Sequence, residues 1–202
     1  GEDWILGIQR DTLEAEHVLE FGASHVAIAT GSAWRRDGVG RASGFALPGF
    51  EGPAVFAPDD LMSGRVPEEG PVIVWDDDHY YMGGVLAELC RARGLDVTLV
   101  TPAAMVSAWT VNTLESLPIA RRIARLGIEV IPYTSVAGFD GTKAQLVSGL
   151  TGERSELPCA SLVTVTARLP VDSLFEQLRD RSQAAGITSL TRIGDCWAPS
   201  TI

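Results

Sequence analysis

Three short runs of this sequence combine side chains and backbone suited to holding a ligand. The first is Asp76-Asp77-Asp78, three consecutive carboxylates directly after the apolar run Val72-Ile73-Val74-Trp75. Acids at a helix start are favoured by the helix dipole and can cap its free N–H groups. Three adjacent residues lack the convergent geometry of an oxygen cage for a divalent ion, so capping is the expectation. The other two runs are Ala29-Thr30-Gly31-Ser32 and Ile193-Gly194-Asp195. Each places a glycine directly after an apolar stretch, where the backbone can turn sharply or approach a ligand closely. A glycine turn accounts for either one alone; the pair, in this order around a strand–helix–strand unit, suggests something narrower.

Other reactive residue types are sparse. Cys90, Cys159 and Cys196 are far apart with no CxxC, read as reduced thiols, and fall short of the four thiolates usual for an iron–sulfur cluster. His17, His25 and His79 show no ligand spacing, so no zinc site is expected. Trp34, Trp75, Trp109 and Trp197 would suit a cage around a methylated ammonium, but nothing in their spacing makes them converge. Core and domain-interface positions are expected for them.

The elements that must position these runs follow from periodicity. Residues 4–8 form a short apolar strand, and a helix capped by Asp11 or Thr12 reaches about Glu20, with Leu13, Val18 and Leu19 on one side. His25 to Ile28 is a near-continuous apolar run, as in a parallel strand covered on both faces. Residues 33–70 are rich in Gly, Pro and charge, with one helical turn at Asp59–Met62. Then comes the clearest unit: strand Val72–Trp75, a helix over Tyr80–Arg93 with Val85, Leu86 and Leu89 inward and Gly94 ending it, and strand Asp96–Val100. A helix over 116–126, a strand at 128–131, and hairpins over 134–157 with turns at Asp140-Gly141 and 149–152 follow. Residues 161–170 read as a strand leading into a loop, 172–183 as a helix and 189–193 as a strand. The class is α/β, with a middle unit (67–157) inserted into an outer one (1–66 plus 158–202).

Such a βαβ unit invites a dinucleotide. That fold places glycines at the strand-to-helix turn, so that N–H groups can approach a pyrophosphate at the helix N-terminus. Here the turn holds three carboxylates, the glycines (Gly83, Gly84) come late, and the second strand ends in Thr101 rather than an acid. Like charges a few Å apart cost about 1 kcal/mol in water and about 4 at an effective dielectric near 20. That outweighs the helix-dipole gain of about 0.3–1 kcal/mol, so no nicotinamide dinucleotide is expected at this turn.

Bulk properties exclude further classes. The chain has 202 residues and a net charge of −10, which argues against a nucleic-acid binder because phosphates would be repelled. No window approaches the roughly 18 apolar residues of a membrane span, and no signal segment opens the chain; no membrane partner and a cytoplasmic setting are expected. The sequence opens on Gly1 and stops at Ile202 just after a strand-like run, as a piece of a longer polypeptide would.

The motif order resembles the two-domain module of flavin disulfide reductases. There an ATG motif (Ala29-Thr30-Gly31) leaves the outer domain, a TGR-x-P-like motif (Thr166-Ala167-Arg168-Leu169-Pro170) returns to it, and a GD motif (Gly194-Asp195) reaches the flavin. More narrowly, residues 28–34, 72–82 and 193–199 are similar to the C-terminal half of the trimethylamine dehydrogenase family, which includes dimethylamine and histamine dehydrogenases. The resemblance implies two Rossmann-like three-layer domains, the middle one inserted into an incomplete outer one. It implies a parent oxidoreductase acting on C–N bonds of small amines, with an N-terminal barrel carrying FMN and a [4Fe-4S] cluster, and an electron-transferring flavoprotein and a homo-oligomer as partners. It implies an outer domain that binds ADP, or FAD, through a first strand and glycine-rich turn expected upstream of Gly1, so that this portion keeps the flank of the site. The candidates for nucleotide contact here are Thr30, Gly31, Gly194 and Asp195, with Ser32 and Trp34 nearby, and this portion alone would be inactive. A decayed scaffold or docking module is the alternative. Ala167 departs from the glycine of the TGR-like motif, leaving Arg168 either a ligand contact or a partner of surface acids. Asp195 suits a ribose or ribityl hydroxyl as an ionised acceptor, or equally a helix cap.

Overall fold

The computed structural model describes residues 12–182 and 186–200. In chain order they form α1 (Ala15–Phe21), β1 (His25–Ile28), β2 (Ser32–Trp34), β3 (Val55–Phe56), α2 (Pro58–Met62), β4 (Val72–Asp76), α3 (Tyr81–Ala92) and β5 (Val97–Val100). A 3-10 turn (Ala108–Val111) precedes α4 (Ser116–Arg125), β6 (Glu129–Ile131), β7 (Thr134–Phe139), β8 (Lys143–Ser148), β9 (Arg154–Pro158), β10 (Ser161–Val165) and β11 (Arg168–Pro170). Then follow α5 (Ser173–Arg179), β12 (Ser189–Arg192) and a 3-10 turn at Gly194–Cys196. The strand expected at 4–8 lies outside the described residues. No helix is long and apolar enough to cross a membrane, among the described residues.

The chain divides into two compact units: residues up to Ser32 with Pro170–Ser200, and Ala33–Leu169. The expected division lay at 66/67 and 157/158. Residues 33–66 and 158–169 instead group with the middle unit, because β3 and β10 enter its sheet. That sheet has five strands in the order β3-β10-β4-β5-β6, every pairing parallel. β10, which had been assigned to the outer domain, is the neighbour of β4 throughout its length, Ser161↔Val72 to Val165↔Asp76. β3 is only two residues long, too short for a period-2 pattern to reveal it.

The β4 run is continuously apolar because both faces of the sheet are covered. Val72 and Val74 pack with Leu86, Ala87, Cys90 and Ile123 of α3 and α4. Ile73 and Trp75 pack with Phe50, Val136, Ala144 and Leu146, beneath the antiparallel sheet β7-β8-β9. Each such buried side chain contributes about 1.5–3 kcal/mol. In α3 the inward residues are Leu86, Ala87 and Cys90, whereas Val85, expected inside, is 55% exposed. In the first turn the buried glycines make the close approaches instead, Gly83 to Asp76 of β4 and Gly84 to Ser107 and Ile119.

The outer unit contains α1, β1, α5 and β12, with Ala15, Ile28, Leu178 and Cys196 as its core. Its first helix is capped not by residue 11 or 12 but by Glu14, whose backbone N–H donates to His17 Nδ1 at 3.1 Å.

Candidate functional site

In the outer unit, β1 and β12 run parallel in register, His25↔Ser189 to Ile28↔Arg192, so their C-terminal ends stand side by side. In open α/β sheets this is the edge at which ligands bind. The Ile193 N–H donates to the Ile28 carbonyl at 2.9 Å, and the chain then turns at both glycines. Gly31 has φ 76° and Gly194 φ 65°, the left-handed region that costs another residue about 1–2 kcal/mol. Among the described residues a Cβ at either would meet nothing within 4 Å, so the backbone of both turns stands open toward them.

The side chains fix these turns. The Thr30 hydroxyl donates to the Val171 carbonyl, and the Val171 N–H donates to the Gly31 carbonyl at 2.9 Å. Ser32 Oγ donates to Asp195 Oδ2 at 3.1 Å, and the Ser200 N–H reaches Asp195 Oδ1 at 3.4 Å. Buried Cys196 donates through Sγ to the Ile28 carbonyl at 2.9 Å, pinning the second turn under the first strand. The four residues singled out by motif, Thr30, Gly31, Gly194 and Asp195, thus come together, 163 residues apart in sequence at the Ser32–Asp195 bond. A cavity of about 740 Å³, lined in part by His17, Val18, Phe21, Val26, Ile28 and Thr30, adjoins β1.

Three further residues of this unit, Asp172, Phe175 and Arg192, escaped the motifs, and Trp197, for which a core or domain-interface position is expected, is 60% exposed beside them. Arg192 ion-pairs with Asp172 (2.8 Å) and lies between the rings of Phe175 (4.5 Å) and Trp197 (4.6 Å). The available signal was alternation: Leu190 and Arg192 share a strand face, so an arginine stands where a core residue is due.

The strand ends of the middle unit are filled differently. Asp76, Asp77 and Asp78 are buried, at 0%, 0% and 8% exposure. The capping expectation fails here: the N-cap of α3 is Tyr80, with no side-chain bond. Asp76 Oδ1 accepts from the His79 N–H (2.9 Å), and a Cβ on Gly83 would fall 2.5 Å from Asp76 Cγ. The carboxyl therefore lies directly against the first turn of α3. Asp77 Oδ2 accepts from the N–H groups of Arg41 (2.5 Å) and Ala42 (2.9 Å), which holds the 37–45 loop at the strand ends. The Arg41 guanidinium in turn covers the Trp109 ring at 4.2 Å.

Burial also changes the charge count. Loss of solvation pushes the Asp76 carboxyl up to about 7, aided by Asp78 and Asp77 beside it, and raises both of those as well. Burial and Arg41 push His79 down. Three full negative charges thus overstate the electrostatic barrier to a diphosphate; the residues occupy the space sterically instead. Arg168 covers the Trp34 ring at 5.1 Å, and its charge offsets part of the rise that burial imposes on the Asp78 carboxyl. Trp75 is fully buried against Phe50.

Comparison with known proteins places this geometry. No protein-family model matches the chain. Dimethylamine dehydrogenase of Hyphomicrobium sp. (strain x) is 30% identical over 220 residues, covering 98% of this chain and 30% of that enzyme. Histamine dehydrogenase from Rhizobium sp. 4-9 is 42% identical with a TM-score of 0.89, covering 95% of this chain and 30% of that one. The 6-hydroxypseudooxynicotine amine oxidase of Pseudomonas geniculata N1 is 38% identical with a TM-score of 0.91, over 94% and 28%. The chain is homologous to the C-terminal part of the dimethylamine and histamine dehydrogenases and of the amine oxidase. It spans about 30% of the length of the relatives it matches. Its fold is also that of a ferredoxin reductase (TM-score 0.62) and a thioredoxin reductase (0.62), proteins of the flavin disulfide-reductase type.

Proposed function

We propose that this chain is the adenine-nucleotide-binding portion of an amine dehydrogenase, and that the ligand, ADP or the ADP half of FAD, lies along the ends of β1 and β12. The observation that carries this reading is the pair of open glycine turns tied together by Ser32 and Asp195. Gly31 and Gly194 let a ligand approach the backbone, and Asp195 offers acceptor oxygens to a ribose or ribityl hydroxyl. Thr30 shapes the first turn through Val171 rather than by touching the ligand.

Redox chemistry belongs, in this reading, to the remainder of a longer polypeptide: a barrel holding FMN and a [4Fe-4S] cluster, oxidising the C–N bond of a small amine and passing electrons to an electron-transferring flavoprotein. The thiols here suit no cluster. Cys90 and Cys159 are buried in separate cores, with burial pushing each up to about 11, and three cysteines fall short of four ligands. For the middle unit a structural role is favoured, because Asp76 and the Asp77-anchored loop occupy its strand ends. Calorimetric titration of the chain with ADP, FAD and NADH tests both halves. ADP or FAD binding that is lost in Gly194→Val is expected, with no NADH binding that Asp77→Ala alters. A flat ADP and FAD titration leaves only the structural role.

A further inference from the structure

Trp197 is 60% exposed, yet it is not loosely placed. Its N–H donates to the Gly194 carbonyl at 2.9 Å, and the preceding residue, Cys196, is buried and bonded to β1 through the Ile28 carbonyl. One face of the indole is covered by the Arg192 guanidinium, 4.6 Å from the ring centroid. That guanidinium is fixed from two further sides, by Phe175 beneath it and by the Asp172 carboxylate at 2.8 Å. Asp172 follows Val171, the residue that bonds both Thr30 and Gly31. A continuous series of contacts therefore runs from the first glycine turn, through Val171, Asp172 and Arg192, to the indole that follows the second. Among the described residues no aromatic ring or second cation lies against Trp197.

We infer that Trp197 is a stacking platform for the planar heteroaromatic ring of the nucleotide that lies along the ends of β1 and β12; this rests on the reading given above and adds the group that recognises the ring. The physics is direct. An exposed indole held rigid on one face presents a large flat π-surface without losing side-chain freedom on binding. A cation on the covered face is favoured by the ring quadrupole and keeps that face unavailable, so one side alone is offered. Stacking is tolerant of ring identity, so adenine and isoalloxazine share the chemistry, and Trp197 selects for a ring rather than for one base.

The test is titration of the chain and of Trp197→Ala and Trp197→Phe with ADP, FMN and ribose 5-phosphate, with thermal melts confirming that each variant is folded. Wild-type ADP binding is expected to weaken about tenfold in Trp197→Ala and to be largely kept in Trp197→Phe. Ribose 5-phosphate, which has no ring, is expected to bind both variants as it binds wild type. Quenching of the red-edge tryptophan emission by ADP or FMN should disappear in Trp197→Phe. If FMN shows the dependence on Trp197 and ADP does not, the ring seated there is the flavin's. Equal ADP and FMN affinities in wild type and Trp197→Ala would overturn the inference while leaving nucleotide binding intact. Absence of ADP and FMN binding to wild type would overturn both.

Discussion

The two units end their parallel strands in opposite ways. In the outer unit, the turns after β1 and β12 are glycines with positive φ, with no atom of the described residues within 4 Å of a Cβ placed on either, and the polar side chains tie one turn to the other. In the middle unit, the turn after β4 holds three buried acids, and a loop from residues 37–45 is hydrogen-bonded onto the second of them. Two sheets of related construction thus differ in whether the ligand edge is left open or filled by the chain itself. The lesson is that a βαβ unit supplies a place, while the residues at its strand ends decide whether anything enters.

The largest expected effect concerns the filled edge. Asp76, with its carboxyl pushed up to about 7 from an ordinary value of 3.8, binds more protons folded than unfolded between those limits. Stability therefore falls as pH rises from about 4 to about 7, by up to about 4 kcal/mol, and is flat beyond. Asp77 and Asp78, raised by burial, act in the same direction. His79, pushed down by burial and Arg41, opposes them, since its contribution grows as pH rises toward 6.5. Asp37 is held low by its bond to Arg35 and adds stability that is lost only as pH falls below about 4. Urea melts from pH 4 to pH 8 should show the decline in wild type and a flatter profile in Asp76→Asn. A wild-type profile that matches Asp76→Asn through this range would mean the Asp76 carboxyl is solvated, and the contrast between the two edges would fail.

A smaller effect separates the two edges by sterics. Gly83→Ala drives a Cβ to 2.5 Å from Asp76 Cγ and 2.6 Å from Asp76 Cβ and should cost about 1–3 kcal/mol, most of this clash being relieved in an Asp76→Gly background, which removes both atoms. Gly194→Ala, with nothing within 4 Å, should cost about 1–2 kcal/mol from its backbone conformation alone, with no neighbouring truncation that relieves it. A double-mutant cycle in denaturant reads both. Independence of Gly83→Ala and Asp76→Gly would show that the Asp76 side chain does not lie on α3.

Much of the fold is legible in sequence where periodicity is long enough to carry information. The β4 run, the α3 stop at Gly94 and the turn at Asp140-Gly141 all follow from patterning and turn chemistry. The outer-unit turns are legible too, because glycine after an apolar strand has few other uses. What failed is non-local. Val55-Phe56 is a strand only because β10 lies beside it, and β10 belongs to the middle sheet through pairing with β4, not through anything in its own composition. Asp76–Asp78 read as exposed caps because burial of acids is rare and depends on a loop 35 residues upstream. Arg192 carried no motif, and its stacking on Trp197 exists only in three dimensions.

The smallest expected effect bears on the open edge and decides whether its polar tie has a ligand. Ser32→Ala removes the 3.1 Å bond to Asp195, a part-buried hydrogen bond whose net loss should cost about 0.5–1.5 kcal/mol in a urea melt. Asp195→Asn keeps an acceptor oxygen for Ser32 and should cost less than that. The two variants diverge once nucleotide is present. If Asp195 receives a sugar hydroxyl, Asp195→Asn weakens ADP binding more than Ser32→Ala does, because the ionised acceptor makes the stronger bond. If ADP affinity instead follows stability across the pair, Asp195 is only a clasp between the two turns. The outer edge would then be open without a polar group aimed at what enters it, and its difference from the middle edge would be one of space alone.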